Sequence, residues 1–312
     1  MLITYIIPCY RSADTLRAVV DEIDTSMAAL DGYDYEIILI NDDSPDDTFS
    51  VIKALCEEKP YLTGINLARN FGQHAALMAG FRKAQGDIVI CLDDDGQTPA
   101  DEAVKLIRAL EDGADVAYAK YIHKQHSGLR NIGSKINDLM TRVMLGKPKN
   151  LYLSSYFAVK RFVAEEIKRY EGAYPYVIGL VLRATRNIVN VDVSHRARIS
   201  GISGYTLGKL FTLWLNGFTA FSIKPLRMAT MIGAISAVAG FTYALFTVAR
   251  RLFFPPGEGY VIGFAAMISA VLIIGGLILL MLGMVGEYIG RMYITMNNSP
   301  QYVIKETIPT ER

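Results

Sequence analysis

The chain has 312 residues, 51% of them hydrophobic and 20% charged, with a formal net charge of +1. That length supports one large core or a domain with an appendage; the near-zero charge identifies no partner, and none of nucleic-acid type is expected. Three cysteines, Cys9, Cys56 and Cys91, match no zinc spacing, and their odd number argues against a disulfide framework, so they read as core residues of a reducing compartment.

The opening "MLITYIIPCYR" has no basic leader and no small-residue cleavage site, so it reads as a buried strand and not as a signal peptide. Strand-length apolar runs follow one another at Ile3–Ile7, Glu36–Ile40, Leu62–Asn66 and Ile88–Leu92, with Val116–Tyr118 as a further strand. Helical patterns separate them at Ser12–Leu30, Asp47–Glu58, Gly72–Ala84 and Thr98–Asp112. This alternation predicts an α/β fold with a mostly parallel sheet. Ligands of such sheets bind at the carboxyl ends of the strands. The polar knots "PCYRS", "NDDSPDD" and "DDDGQTP" each follow a strand, so they converge on one rim.

Between Val116 and Asn150 the sequence has seven basic residues against one acid, Asp138. Any one of these lysines is most simply a solvated surface group, but the set faces an acidic rim. The segment 206–223 holds the sole tryptophan, Trp214, and fits either a core helix or a helix lying in a membrane interface. Two uncharged runs follow, about 228–249 and 260–286. Each exceeds the roughly 20 residues a bilayer span requires. Joined by "RRLFFPPGEG", they predict a helical hairpin that brings the chain back to its starting side. Lys224, Arg227 and Arg291 mark that side as cytoplasmic, while Arg250 and Arg251 at the far end oppose the assignment. The expected division is 1–205 catalytic, 206–226 interfacial, 227–290 membrane-spanning and 291–312 a cytoplasmic tail, with the protein integral to the inner membrane.

The run Asp93, Asp94, Asp95 directly after a buried strand carries the chemistry. Residues two apart point the same way in extended chain, so Asp93 and Asp95 face together and Asp94 turns away. With the amide of Gln97 they form a donor set for Mg²⁺ or Mn²⁺. The competing reading is an acidic turn that caps the next helix.

These segments carry a resemblance. "IIPCYRSADTL", "EIILINDDSPDDT" and "LARNFGQHAALMAGFRKAQGDIVICLDDDGQTP" resemble glycosyltransferase family 2. "HRARISGISGYTLGKL", "GMVGEYIGRMY" and "SPQYVI" are similar to the polyprenyl-phosphate members, which carry two C-terminal spans. The resemblance implies a GT-A domain, a UDP-, GDP- or dTDP-linked sugar donor, a divalent metal and a lipid phosphate acceptor. By the same resemblance Pro8 and Tyr10 line the nucleotide pocket, Asp42 contacts the base, and Asp43 and Ser44 lie beside it. Arg69 and Gly72 belong to an Arg-Asn-x-Gly turn. Asp93, Asp95 and Gln97 hold the metal, and Asp94 stands with the nucleotide-sugar residues. Lys120, Arg130, Ser134 and Arg198 match the positions that serve the acceptor phosphate. Related enzymes often assemble, which leaves room for a homo-oligomer.

Three departures stand out. Asn41 replaces a frequent Asp, Asp94 and Gly96 replace frequent Ala and Leu, and Lys120 replaces an Arg in some relatives. A phosphate acceptor is largely ionised at neutral pH, its second pKa being about 6. It therefore needs positioning more than a general base, and the histidines His74, His123, His126 and His195 read as structural or surface groups. The reading from a different class is a non-catalytic membrane adaptor that binds a nucleotide sugar. A variant within the enzyme class transfers sugar directly to a glycan or glycolipid.

Overall fold

The computed structural model describes residues 1–121, 141–142, 146–194, 224–253 and 263–309. Two units emerge, residues 1–220 with 298–312, and residues 221–297.

The first unit is built on one sheet. Its leading half runs β1 (Leu2–Cys9), α1 (Leu16–Ala28), β2 (Asp34–Asn41), α2 (Thr48–Glu58), β3 (Leu62–Leu67), α3 (Gln73–Lys83), β4 (Ile88–Cys91), a 3-10 turn (Ala100–Glu102) and α4 (Ala103–Glu111). Then come β5 (Val116–Tyr121), β6 (Phe157–Lys160), α5 (Arg161–Lys168), α6 (Val177–Ala184) and β7 (Ile188–Val193). The final strand, β8 (Ile304–Ile308), follows the second unit in sequence. Among the described residues the strand order is β7-β5-β6-β4-β1-β2-β3-β8.

The helices form for the reason the pattern predicts. In α1, Leu16, Val19, Val20, Ile23 and Met27 are buried, a three-and-four spacing that turns one stripe toward the sheet. In the strands, Ile3, Tyr5, Ile7, Ile37, Leu39 and Ile90 pack into one cluster with that stripe. α3 lies closer still. A Cβ on Gly80 would come within 2.4 Å of Ile6 Cγ2, so only glycine lets this helix approach β1.

The sheet is more mixed than the alternation alone predicts. β1 pairs in parallel with β2 and β4, as do β2 with β3 and β5 with β7. β6 enters between β4 and β5 and runs antiparallel to both. β8 is antiparallel to β3. Neither strand announces itself in sequence. β6 is only four residues long, and β8, "IKETI", is half charged or polar because it lies exposed at an edge.

β1 is flanked by β2 up to Cys9, but its pairing with β4 ends at Ile6. The carboxyl ends of β1 and β4 are thus the point where the chain's winding reverses direction. That is the binding position of a doubly wound sheet.

The second unit contains α7 (Lys224–Phe253) and α8 (Phe264–Met296). At 1.5 Å per residue they are about 45 and 50 Å long. Gly233 of α7 lies against Met281 of α8. Ile235, Val238 and Phe241 of α7 and Val271, Ile274 and Leu279 of α8 are all more than half exposed. Among the described residues, Ile273–Met296 is long and apolar enough to cross a membrane, and Ala229–Tyr243 is a shorter apolar stretch. The first continues past the expected end at 286 because Glu287 and Arg291 neutralise one another, Nη2 donating to Oε1 at 2.7 Å across one turn.

Replacing Gly80 by Ala forces α3 off β1. The expected cost is about 1–3 kcal/mol of stability, measured as a lower denaturation midpoint of the full-length protein in detergent.

Candidate active site

The loop after β1 is held by four successive backbone amides, each donating to a side chain from elsewhere. Tyr10 N donates to Asp94 Oδ2 at 2.9 Å, Arg11 N to Ser44 Oγ at 3.1 Å, Ser12 N to Thr48 Oγ1 at 3.0 Å and Ala13 N to Asp46 Oδ2 at 3.4 Å. Such a mesh over-determines the backbone, and it sustains Arg11 at a φ of 59°, a left-handed conformation that a non-glycine residue holds only under constraint. The Tyr10 ring is left 46% exposed, with the Arg11 guanidinium 5.5 Å from its centroid. Pro8 sits one strand position back, opposite Ile40.

The loop after β2 has a different task. Asp42 is 4% exposed, and its two carboxylate oxygens accept the amides of Phe71 at 2.7 Å and Gly72 at 2.8 Å. Burial raises its pKa against the pull of those two amides. Asn70 Nδ2 adds a bond to Asp42 O at 3.1 Å. Asp42 thus fixes the turn that carries Arg69, whose guanidinium stacks on Phe71 at 4.7 Å. Gly72 holds a φ of 91°, which makes glycine the fitting residue at the start of α3. Asn41, the departure from Asp, donates from Nδ2 to Asn66 Oδ1 at 2.8 Å and accepts from Ser44 N at 3.2 Å. A carboxylate there could not donate to Asn66. Asp43 is exposed on the rim with a φ of 52°.

The loop after β4 carries the three aspartates, and each faces a different neighbour. Asp93 accepts from Gln73 Nε2 at 3.0 Å and makes a short hydrogen bond with Ser155 Oγ. Asp94 turns away from its neighbours to the β1 loop. Asp95 Oδ1 accepts Gln97 N at 3.0 Å, which closes the turn over Gly96 at a φ of 70°. Burial lifts the Asp93 pKa to about 6, with Asp95 and Asp94 adding to the rise and Ser155 and Gln73 opposing it.

Among the described residues, no three His, Cys, Asp or Glu side chains gather as a ligand set. The candidate set is Asp93, Asp95 and the Gln97 amide. These are hard oxygen donors of the kind a divalent cation takes, so the residues fit such an ion in chemistry, while their side chains here are turned to protein partners.

Lys120, at the end of β5, pairs with Asp192 of β7 at 3.5 Å, with both side chains more than half exposed. Arg130, Ser134, Arg198, His195 and the segment 206–223 lie outside the described residues. The sequence reading missed Gln73 and Ser155 as partners of Asp93. Gln73 directly follows the glycine of the Arg-Asn-x-Gly turn, a signal that was available. Ser155 is 62 residues from Asp93 and belongs to no motif.

A mostly parallel α/β sheet with polar loops gathered at the carboxyl ends of its strands is the architecture of a GT-A domain. Residues 4–168 match Glycosyl transferase family 2, and residues 224–292 match the GtrB C-terminal hairpin. The chain belongs to glycosyltransferase family 2 and is a glycosyltransferase. It is 31% identical to the undecaprenyl-phosphate 4-deoxy-4-formamido-L-arabinose transferase of Yersinia enterocolitica, over 99% of this chain and 94% of that one. The enzyme of the same description from Yersinia pestis shares the same identity and coverage. Among solved structures, glucosyl-3-phosphoglycerate synthase of Mycobacterium tuberculosis, in complex with Mn²⁺, UDP and phosphoglyceric acid, matches with a TM-score of 0.50 and 18% identity. That match covers 68% of this chain and 74% of the other, and it supports the fold.

His74, at the start of α3, packs edge-on to Tyr176 at 4.9 Å, and its Nδ1 is sealed from solvent without a partner among the described residues. Burial lowers its pKa from 6.5 to about 4. Between those values the unfolded chain binds a proton that the folded chain refuses, so stability falls as pH drops through this window. His74→Phe removes the contribution. Urea unfolding at pH 7 and pH 5 is expected to show the wild type losing on the order of 2 kcal/mol more than the variant.

Proposed function

We propose that the protein transfers a single sugar from a nucleotide-sugar donor to a polyprenyl phosphate, with inversion, at the cytoplasmic face of the membrane. The observation that carries this reading is the match to undecaprenyl-phosphate sugar transferases through both the catalytic domain and the hairpin.

The donor nucleotide lies along the carboxyl ends of β1 and β4. Tyr10 offers its exposed ring to the base, and Asp43 and Ser44 line the rim beside it. Arg69 meets the diphosphate. Asp93, Asp95 and Gln97 hold Mg²⁺ or Mn²⁺, which neutralises the departing nucleoside diphosphate when bound. Lys120, Arg130, Ser134 and Arg198 hold the acceptor phosphate. Among the described residues Lys120 pairs with Asp192 in a weak, exposed contact, which a phosphate dianion displaces. The acceptor oxygen is already anionic at neutral pH, so these cations orient it and no side chain need take its proton.

The hairpin supports an even number of crossings. β3 and β8 are neighbours in one sheet, and α7 and α8 lie between them in sequence. A single crossing would put these two strands on opposite sides of the bilayer. This supports reading α7 and α8 as a pair of spans, and Lys224, Arg227 and Arg291 favour a cytoplasmic catalytic side.

The test is direct. The purified protein, given Mn²⁺ or Mg²⁺ and a short polyprenyl phosphate, is screened against labelled UDP-, GDP- and dTDP-sugars. A lipid-linked product from one donor is expected, lost on EDTA addition and lowered at least about a hundredfold in Asp95→Ala. Full activity in EDTA would sink the metal assignment. Nucleotide binding with no product from any donor would favour a glycan acceptor or an adaptor. Arg130→Ala is expected to raise the lipid concentration needed for half-maximal rate about tenfold or more while nucleotide binding is retained; an unchanged lipid dependence removes Arg130 from the acceptor site.

A further inference from the structure

Asp94 is the middle residue of the aspartate run, yet its carboxylate does not face Asp93 or Asp95. Oδ2 accepts Tyr10 N at 2.9 Å, and the Asp94 carbonyl accepts Thr15 Oγ1 at 2.6 Å. One residue of the β4 loop thus grips the β1 loop at its beginning and at its end. Between the grips lies Arg11 with its left-handed backbone, and the first grip sets where the Tyr10 ring emerges. On the other side, Asp94 is covalently flanked by the two carboxylates of the candidate metal set. Asp94 is half-buried there, with its carboxylate turned to the β1 loop.

The geometry points to Asp94 as a positioning residue that couples the metal-holding loop to the nucleotide-holding loop. This inference rests on the glycosyltransferase reading. The Asp94 carboxylate ties the two loops together, so that a metal held at Asp93 and Asp95 steadies the loop that carries the Tyr10 ring. A relative with alanine at this position has no side-chain acceptor for the amide and must hold its β1 loop by other means.

The experiment uses the full-length protein in detergent with Mn²⁺ as the metal and UDP, GDP and dTDP as probes. Nucleoside diphosphate affinity is measured with and without Mn²⁺. In wild type, Mn²⁺ is expected to tighten binding of one probe about tenfold or more. In Asp94→Ala that enhancement is expected to shrink to less than about threefold, while metal-free affinity changes much less. Asp94→Asn keeps an acceptor oxygen for Tyr10 N and is expected to recover most of the enhancement. Thr15→Val, which loses only the second grip, is expected to fall between. Full enhancement in Asp94→Ala overturns the proposal. So does an Asn variant as impaired as Ala, because the effect would then belong to charge beside the metal. Hydrogen exchange of residues 10–13 provides a readout that needs no ligand. Faster exchange there in Asp94→Ala, with the strands unchanged, supports the clamp, and unchanged exchange overturns it. Wild type that binds none of the three probes removes the glycosyltransferase reading, and the exchange result then decides the clamp alone.

Discussion

Backbone amides that leave the carboxyl end of a buried sheet have no ladder partner, and an unpaired buried amide is costly. This chain supplies that partner with aspartates. Asp42 takes Phe71 and Gly72, Asp94 takes Tyr10, and Asp46 takes Ala13. Each bond joins loops from different strands, so the rim is a cross-braced object and not a row of separate turns. The left-handed backbones at Arg11 and Gly72 persist because the bracing leaves them no alternative.

The same economy explains the charge at the end of β4. Three consecutive carboxylates cannot all be buried ionised without a counter-charge. Here one is diverted to an amide, one is held by Gln73 and Ser155, and one closes its own turn on Gln97. What remains is a modest excess of negative charge, partly relieved by the upward shift of Asp93.

Much of this was legible in the sequence. Helical and strand periods located the leading half of the sheet to within a few residues, because buried parallel strands and amphipathic helices are strongly patterned. The rim was legible because polar knots after buried strands have few structural uses. The turning away of Asp94 was legible from the two-residue alternation, but the partner each aspartate meets was not. The two amide partners of Asp42, about thirty residues away, have no mark in the sequence around it. β6 and Ser155 were hidden for a related reason. Their roles come from insertion between β4 and β5, a long-range event with no local signature. β8 was hidden because an exposed edge strand carries no apolar alternation.

β8 also sets the order in which the molecule can be made. Its partner β3 leaves the ribosome early, yet more than two hundred residues, including both long helices, separate Leu67 from Ile304. At ordinary synthesis rates that is on the order of ten to fifty seconds. For that interval β3 stands as an open edge, able to pair with any strand it meets. Both long helices are made before the sheet is closed, so the second unit precedes completion of the first. A chain that stopped before Ile304 would keep the whole rim and leave the β3 edge permanently bare.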